Sequence, residues 1–328
     1  MAEKKQSKYT SIGGQALIEG ILMRGPKADA IAVRLPDGTI DVSVTPSDTG
    51  KRVWWKKVPL LRGIIAFVGS MVTGYKALMY SAEKSGMDDV EEEEMSKFDR
   101  WLNDHLGENI MAIVGVVSLV LGLALSLLLF KFLPIWIVSG VEWLVHLCGG
   151  KGFAFSPVGK ALLEGLLKMI IFLSYLAAVS LMKDIRTTFM YHGAEHKTIH
   201  CYEAKLELTP ENAAKFPRAH PRCGTSFLFL MVALSILITA VLYVFLPEAV
   251  VSNVWSRMGC SLALFPLIMG LGYELLKVCG KYDNLFTKIV SAPGKWIQRL
   301  TTKEPTLEQL EVAIAAIKAV IPDDGSDR

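Results

Sequence analysis

Four long apolar segments constrain the fold of this chain more than any other feature of its sequence. They lie at about residues 110–130, 161–182, 226–246 and 258–276. Each comes close to the roughly 20 residues that an α-helix needs to cross a bilayer. Hydrophobic residues make up 52% of the 328 positions, which is more than an average soluble protein carries. We therefore predict a mainly α-helical membrane protein with about four transmembrane helices, which form a membrane domain over 110–277.

The connector at 131–160 contains a further apolar stretch, PIWIVSGVEWLVHLCGG, with Trp136 and Trp143. Its length of about 15 residues is short for a span, and tryptophan is enriched at the membrane–water boundary. We predict an interfacial or re-entrant helix here. His146 and Cys148 lie in this stretch, on the far side of the membrane from the other histidines, and we expect them to be structural.

A weaker apolar segment at 62–82 follows a basic stretch, KRVWWKK at 51–57. Its polar residues favour an amphipathic helix that lies along the membrane surface. A fifth span here would place the basic stretch outside, against the positive-inside rule. We expect an interfacial helix followed by an acidic linker at Asp88–Glu94, so that 61–109 forms one region.

The positively charged connectors orient the spans. The connector at 183–225 and the segment after the fourth span carry several lysines and arginines, so both should be cytoplasmic. The connectors at 131–160 and 247–257 carry fewer and can face outward. With four spans, both termini are then cytoplasmic. The first residues lack the apolar core of a signal peptide, so we expect an internal segment to direct insertion.

The N-terminal residues 1–60 carry strand and turn signals. Pro36-Asp37-Gly38 separates two runs of alternating apolar and polar residues, which predicts a small β-containing cytoplasmic domain. Gly13 and Gly14 could bring the backbone close to another group, or could be plain turn residues.

The C-terminal segment, 278–328, carries a helix signal. Thr306 and Gln309 match a capping box, and leucines and isoleucines then recur at helical spacing. We predict an amphipathic helix that packs against the N-terminal domain, a partner protein or the bilayer.

The charge balance excludes one class of partner. Thirty-five lysines and arginines face 32 aspartates and glutamates, a net charge of +3, which is too balanced for nucleic-acid binding by bulk electrostatics. The five cysteines are irregularly spaced, so we expect reduced thiols rather than a disulfide framework.

One stretch concentrates the groups that can do chemistry. Tyr191–Glu203 reads YHGAEHKTIHCYE, and HPRCGTS follows at 220–226. At about 100° per residue, a helix would direct four of these side chains within roughly 80° of one another. The four are His192, His196, His200 and Glu203. We predict that this stripe can hold a metal.

Within the stripe, His192, Glu195 and His196 match H-x-x-E-H, the inverted zinc-protease signature. In that chemistry two imidazoles hold Zn²⁺, a carboxylate supplies a third ligand, and the motif glutamate takes a proton from water. We predict a divalent metal site, with zinc favoured and Glu195 as catalytic base. Gly193 weakens the helical interpretation, because glycine is a poor helix-interior residue.

The remaining ligands have more than one candidate source. Glu274 lies in GYELLK near the cytoplasmic end of the last span, and it could be a third ligand or simply pair with Lys277. His220 and Cys223 supply a second ligand-type pair. A closed structural site would use four protein groups, for instance His196, His200, His220 and Cys223. Hydrogen bonds alone could also satisfy the cluster.

Glu164 also lies inside an apolar segment, with Lys168 four residues further on. We expect a structural pair. Ion transport along Glu164 and Glu274 is a weaker hypothesis, because the spans contain few other polar residues.

Several motifs together resemble the bacterial YqhQ-like membrane proteins, which share a domain of unknown function and are described as predicted metal-dependent enzymes. The resemblance covers nearly the whole chain. It rests on GGQALIEGILMRGP at 13–26, YHGAEHKTIHCYE at 191–203, HPRCGTSF at 220–227, GYELLK at 272–277 and APGKWIQRLTTKEP at 292–305. It implies a multi-spanning bacterial inner-membrane protein with a metal centre at His192, Glu195, His196, His220 and Cys223.

Two functional hypotheses follow. The first is a metal-dependent, hydrolase-like protein of the lipid bilayer with its site at the cytoplasmic boundary. The second is a non-enzymatic membrane scaffold or regulator, in which the His/Cys cluster is structural and the terminal regions bind a membrane or cytoplasmic protein.

Overall fold

The structure, a computed structural model, describes residues 10–47, 58–86, 110–150, 152–220, 223–281 and 284–327. The acidic linker at Asp88–Glu94 and the basic stretch at 51–57 lie outside these ranges. What was expected of them stays a prediction.

The N-terminal region forms a four-stranded antiparallel sheet in which strands adjacent in sequence pair with each other. The strands are β1 (Gly13–Leu17), β2 (Gly20–Arg24), β3 (Ala28–Arg34) and β4 (Ile40–Pro46). The predicted turn joins β3 to β4: Gly38 has a φ of 86°, and the Thr39 N–H donates to Asp37 Oδ1 over 2.8 Å. The prediction of a small β-containing region is confirmed.

The rest of the described chain is mostly helical. Its helices are α1 (Leu61–Lys84), α2 (Ile110–Leu127), α3 (Leu133–Leu147), α4 (Pro157–Val179), α5 (Lys183–Glu203), α6 (Pro210–Ala214), α7 (Gly224–Phe245), α8 (Glu248–Ser252), α9 (Val254–Ala263), α10 (Phe265–Lys281), α11 (Leu285–Thr301) and α12 (Leu307–Lys318).

Two compact units divide the chain, and neither is continuous in sequence. The first, which we call the sheet unit, comprises Met1–Asp88, Leu176–Leu230 and Met269–Arg328. The second, the helical unit, comprises Asp89–Tyr175 and Met231–Ile268. The N-terminal sheet, the histidine stretch and the C-terminal helix therefore share one unit, although the sequence suggested three separate regions for them.

The core of the sheet unit lies between the sheet, α5 and α12. The predicted capping box begins α12: the Gln309 N–H donates to Thr306 Oγ1 over 3.3 Å, and the Thr306 N–H donates to Gln309 Oε1 over 3.0 Å. Leu310 and Ile317 on this helix are buried against the sheet and α5. The sequence left three packing partners open for this helix: the N-terminal domain, a partner protein or the bilayer. In the structure, the helix packs against the N-terminal sheet.

Within the described ranges, four helical segments are long and apolar enough to cross a membrane, or five if the bent pair α9–α10 counts as one span. They are Leu61–Lys84, Gly115–Leu147, Pro157–Val179 and Leu228–Phe245. The last three contain or overlap three of the predicted spans. Helix α1 is the least apolar of the four, and its interfacial placement stays a prediction.

The first predicted span does not end near residue 130. Helices α2 and α3 are joined by a single π-helical turn, Leu128–Phe132, so the expected separate helix around Trp136 continues the first span. The proline at position 134 explains the turn. It has no N–H to donate and its ring crowds the preceding turn, and the wider π turn accommodates both effects. The expectation of a separate interfacial or re-entrant helix was wrong in this respect.

The fourth predicted span is broken. Helices α9 and α10 meet at an angle of 41°, and Pro266 lies in the first turn of α10. Proline is tolerated there but cannot continue a preceding helix.

Candidate metal centre

Helix α5 carries the histidine stretch, as predicted, and it is the most enclosed helix of the site. Its residues from Ala194 to Ile199 are all buried, because the helix runs between the sheet and α12. One face of this helix meets the segment that precedes α7, and this contact assembles the site.

Gly193 lies inside α5 and is required by a close approach of the backbone. A Cβ atom built on Gly193 would lie 2.1 Å from the Lys303 carbonyl oxygen. The Lys303 N–H also donates to the Phe189 carbonyl over 2.8 Å. The glycine that seemed to weaken the helical interpretation instead lets the chain after α11 lie directly on the helix.

Three side chains form the first group, which we call the His–His–Cys group: His192, His196 and Cys223. One ligand atom from each lies within 4.8 Å of the others. The His192 Nε2 atom is 3.1 Å from Cys223 Sγ, and the two imidazole rings have centroids 4.5 Å apart. The N–H of Thr225, at the start of α7, reaches the same sulfur over 3.4 Å.

Backbone carbonyls orient both imidazoles of this group. His192 Nδ1 lies 2.8 Å from the Thr301 carbonyl oxygen, and His196 Nδ1 lies 2.6 Å from that of Arg218. A carbonyl only accepts hydrogen bonds, so both Nδ1 atoms carry the proton and both Nε2 atoms present a lone pair. This is the arrangement typical of imidazoles that ligate a metal through Nε2. His196 Nε2 is buried and has no hydrogen-bond partner among the described residues.

A second group, the His–Glu–His group, comprises His200, Glu203 and His220, whose ligand atoms also lie within 4.8 Å of one another. His200 Nε2 donates to the Ala219 carbonyl over 3.0 Å, which leaves its Nδ1 as the acceptor. Glu203 accepts from the Thr10 N–H over 3.1 Å and lies 3.9 Å from His220 Nε2.

The two groups adjoin each other. The ring centroids of His196 and His220 are 5.5 Å apart, and those of His200 and His220 are 4.8 Å apart. The four residues considered for a closed site are divided between the groups: His196 and Cys223 belong to the first, whereas His200 and His220 belong to the second.

Glu195 is fully enclosed beside the first group, where it contacts the edge strand β1. Its Oε1 atom accepts the Gly14 N–H over 3.1 Å, while Oε2 is buried without a partner among the described residues. A Cβ atom on Gly14 would lie 3.1 Å from the Glu195 carboxyl carbon. Gly14 therefore brings the backbone close to the predicted catalytic base. It lies in strand β1 and is not a plain turn residue.

Burial sets the protonation of this region. It raises the pKa of Glu195, and the electrostatic interaction with His192 and the hydrogen bond from the Gly14 N–H oppose that shift only in part. Burial lowers the pKa of His196, although Cys223 and the Arg218 carbonyl act in the other direction. A neutral imidazole is the form that binds a metal.

Glu274 takes part in neither group. Both of its carboxylate oxygens pair with the Arg62 guanidinium: Nε lies 2.6 Å from Oε1, and Nη2 contacts Oε2. The ion-pair partner of Glu274 is therefore Arg62 on α1 rather than Lys277. Glu274 is not among the side chains that could hold a metal with His192 and His196. The third ligand-type atom beside His192 and His196 is the Cys223 sulfur.

Sequence reasoning missed the residue that holds His220. The Gln298 side chain accepts from the His220 N–H and donates to its carbonyl, both over 2.8 Å. Gln298 is fully buried on α11. The only sequence signal was its position inside the APGKWIQRLTTKEP motif, which carries no indication of a role.

Fold and site together define the class: a largely helical chain with apolar helices long enough to cross a membrane and two side-chain groups able to hold a metal. The chain belongs to the family described as "Protein of unknown function (DUF1385)", which matches residues 58–323. It is 32% identical to the "Uncharacterized protein YqhQ" of Bacillus subtilis (strain 168) over 311 residues, which are 94% of this chain and 92% of that protein. No solved structure matches it significantly. The family resemblance is thereby confirmed, while neither name refers to a metal or a reaction.

Proposed function

We propose that this protein is a metal-dependent, hydrolase-like integral membrane protein whose site faces the cytoplasm at the membrane boundary. The observation that carries the proposal is the convergence of two imidazoles and one thiol in the His–His–Cys group. Each imidazole has its Nδ1 proton committed to a backbone carbonyl, so the ligating nitrogens are oriented before any metal binds.

The donor set favours zinc. Two imidazole nitrogens and one thiolate suit a borderline-soft ion that accepts tetrahedral coordination. Three protein ligands leave a fourth position for water or substrate, which is the pattern of catalytic rather than structural zinc sites. Bound zinc would supply Lewis-acid chemistry and lower the pKa of a water molecule.

Glu195 would act as the general base. Its Oε2 atom has no hydrogen-bond partner among the described residues, so it is available to take a proton. Burial raises its pKa, which brings a carboxylate closer to the range in which it exchanges protons near neutral pH. The Gly14 N–H holds the other oxygen and fixes the orientation of the carboxylate.

The proposal is tested by measuring zinc bound to the purified full-length protein in detergent. We expect about one zinc ion in the His–His–Cys group of the wild type and a strong loss in His192→Ala/His196→Ala and in Cys223→Ser. Glu195→Gln should keep the ion and lose function in a complementation assay, because it removes the base without removing a ligand.

The chain offers a matched control, His146→Ala/Cys148→Ser, which changes the same residue types at exposed positions outside both groups. It should bind as much zinc as the wild type. If the His192→Ala/His196→Ala protein binds as much as well, the ligand assignment is wrong.

One observation favours the rival function, a scaffold with a structural cluster. Three imidazoles of α5 are bonded to backbone carbonyls of neighbouring segments, so the cluster also fastens those segments to the helix. A scaffold should tolerate Glu195→Gln in complementation, whereas an enzyme that uses this base should not.

A further inference from the structure

The His–Glu–His group repeats the arrangement of the His–His–Cys group one turn further along α5. His200 follows His196 by four residues, which is about 6 Å along a helix axis. Each group takes two side chains from α5 and one from the segment before α7: Cys223 in the first group and His220 in the second. The one-ion function proposed above makes no use of the second group.

The three side chains of the second group converge where α5 ends. Glu203 and His220 are almost entirely enclosed, with side chains exposed by 9% and 5%, and one ligand atom from each of the three residues lies within 4.8 Å of the others. Glu203 Oε2 and His220 Nε2 are 3.9 Å apart, which is too long for a hydrogen bond. Two ligands of one ion, each about 2.0–2.2 Å from it, lie roughly 3–4 Å apart.

Partners outside the group hold each of its members in place. A backbone carbonyl accepts from His200 Nε2 over 3.0 Å, which leaves the Nδ1 lone pair for a ligand. The Thr10 N–H donates to Glu203 Oε1 over 3.1 Å. Gln298 fixes the backbone of His220 through two hydrogen bonds of 2.8 Å. The donor atoms are therefore oriented before any ion binds.

A buried carboxylate of the helical unit shows a different arrangement. Glu164 accepts from Arg257 over 2.5 Å and from the Tyr243 hydroxyl over 3.3 Å. Its ion-pair partner is thus Arg257, whereas Lys168, the expected partner, donates to a serine hydroxyl over 3.2 Å. A guanidinium has no lone pair to offer a metal. Glu203 differs from Glu164 because two imidazoles lie within ligand distance of it.

We propose that the His–Glu–His group binds a second divalent transition-metal ion, separate from the ion of the His–His–Cys group. Two imidazole nitrogens and one carboxylate oxygen form a harder donor set than two nitrogens and a sulfur, and they suit manganese, iron or zinc. Adjacent helical turns set the two ions roughly 6 Å apart, which is more than the about 3.5–4 Å of a bridged pair. Each ion therefore has its own ligands, and either site can be filled alone.

Cobalt(II) distinguishes the two sites. A thiolate bound to cobalt gives a charge-transfer absorption in the near ultraviolet, and the His–Glu–His group contains no sulfur. The full-length protein in detergent is stripped with a chelator and titrated with cobalt, and the bound metal is counted by mass spectrometry. The wild type should bind about two ions, of which only one produces the absorption band.

His200→Ala/Glu203→Gln should bind about one ion and keep the band, because it removes two ligands of the second site only. The retained band also shows that this variant is folded around the first site. Cys223→Ser should lose the band and keep the ion of the second site. The matched control, His146→Ala/Glu207→Gln, changes the same residue types at exposed positions and should keep both ions.

Should the double variant fold poorly, Glu203→Gln alone decides. Glutamine keeps the shape of the side chain and an oxygen for the Thr10 N–H, but it removes the charge, so affinity for the second cobalt should fall about tenfold or more.

The outcomes separate the two sites. A wild type that binds one ion and shows the band overturns the second site and leaves the first intact. Equal amounts of cobalt in the wild type and in both Glu203 variants also overturn it. Cobalt that is lost in these variants from a wild type without the band supports the second site and counts against the first.

Discussion

At the scale of single residues, Glu195 combines burial with an incomplete set of hydrogen-bond partners among the described residues. It is buried with one oxygen bonded to Gly14 and the other without a partner among the described residues. Such groups lower stability and are retained where function needs them.

The raised pKa of Glu195 gives a pH test. Its folded-state pKa lies above the ordinary value of 4.5, so the protonated carboxyl contributes stability that is fully present below that value and lost as pH rises through the folded pKa. In metal-free protein, the unfolding temperature of the wild type should therefore fall relative to Glu195→Gln as pH rises from about 4.5. The free-energy difference should reach at least about 1 kcal/mol.

Glu207→Gln, which removes a carboxylate from an exposed position of the same unit, is the control and should follow the wild type across the range. A constant difference between wild type and Glu195→Gln at all pH values would contradict the assignment of a raised pKa.

The sequence predicted which residues form the site better than it predicted which of them contact each other. The H-x-x-E-H spacing placed His192 and His196 on one face because the period of a helix is fixed. Whether Cys223 or Glu274 stands beside them depends on Arg62, which is 212 residues from Glu274. Gln298 was missed for the same reason, since its partner His220 is 78 residues away. Local spacing carries no information about such contacts.

At the scale of elements, the approach of residues 301–305 to α5 is set by Gly193. We expect Gly193→Ala to push this segment away, because its Cβ would lie 2.1 Å from the Lys303 oxygen. Overpacking of this kind costs about 1–3 kcal/mol. The displaced segment also carries the Thr301 carbonyl that orients His192, so zinc affinity should fall about tenfold or more.

Gly259→Ala is the matched control, since Gly259 is also inside a helix but has open space around its Cβ position. This change should stabilise the protein by about 0.5–1 kcal/mol and leave zinc binding unchanged. Thermal unfolding and zinc titration of both variants test the contrast, and equal zinc affinities in the two would show that the close approach does not orient His192.

Element existence was easier to predict than element ends. Apolar length located helices that are long and apolar enough to cross a membrane, and the capping box placed the start of α12 correctly. The prolines at 134 and 266 were visible in the sequence, but the first is absorbed by a π turn and the second accompanies a break. Which outcome occurs depends on the surrounding packing rather than on the proline itself.

At the scale of the whole molecule, contacts between parts of the chain that are distant in sequence hold the sheet unit together. Its core joins β2 and β3 to α5 and α12, and the site joins α5 to the segments around Cys223 and Thr301. Composition could predict each part as a separate region, but it could not predict that they share one core.

This assembly predicts where a bound metal should act on stability. A ligand that binds only the folded state stabilises the segments that supply its contacts. Removing the metal with a chelator should therefore raise amide hydrogen exchange in peptides covering 216–225 and 298–303. Strands β2 and β3 should change little, because the sheet core on α12 contains none of the ligands. Peptides of α4 in the helical unit serve as a second internal reference. Exchange that rises equally in all of these peptides would indicate global destabilisation, and no rise at 216–225 would place the metal somewhere other than the His–His–Cys group.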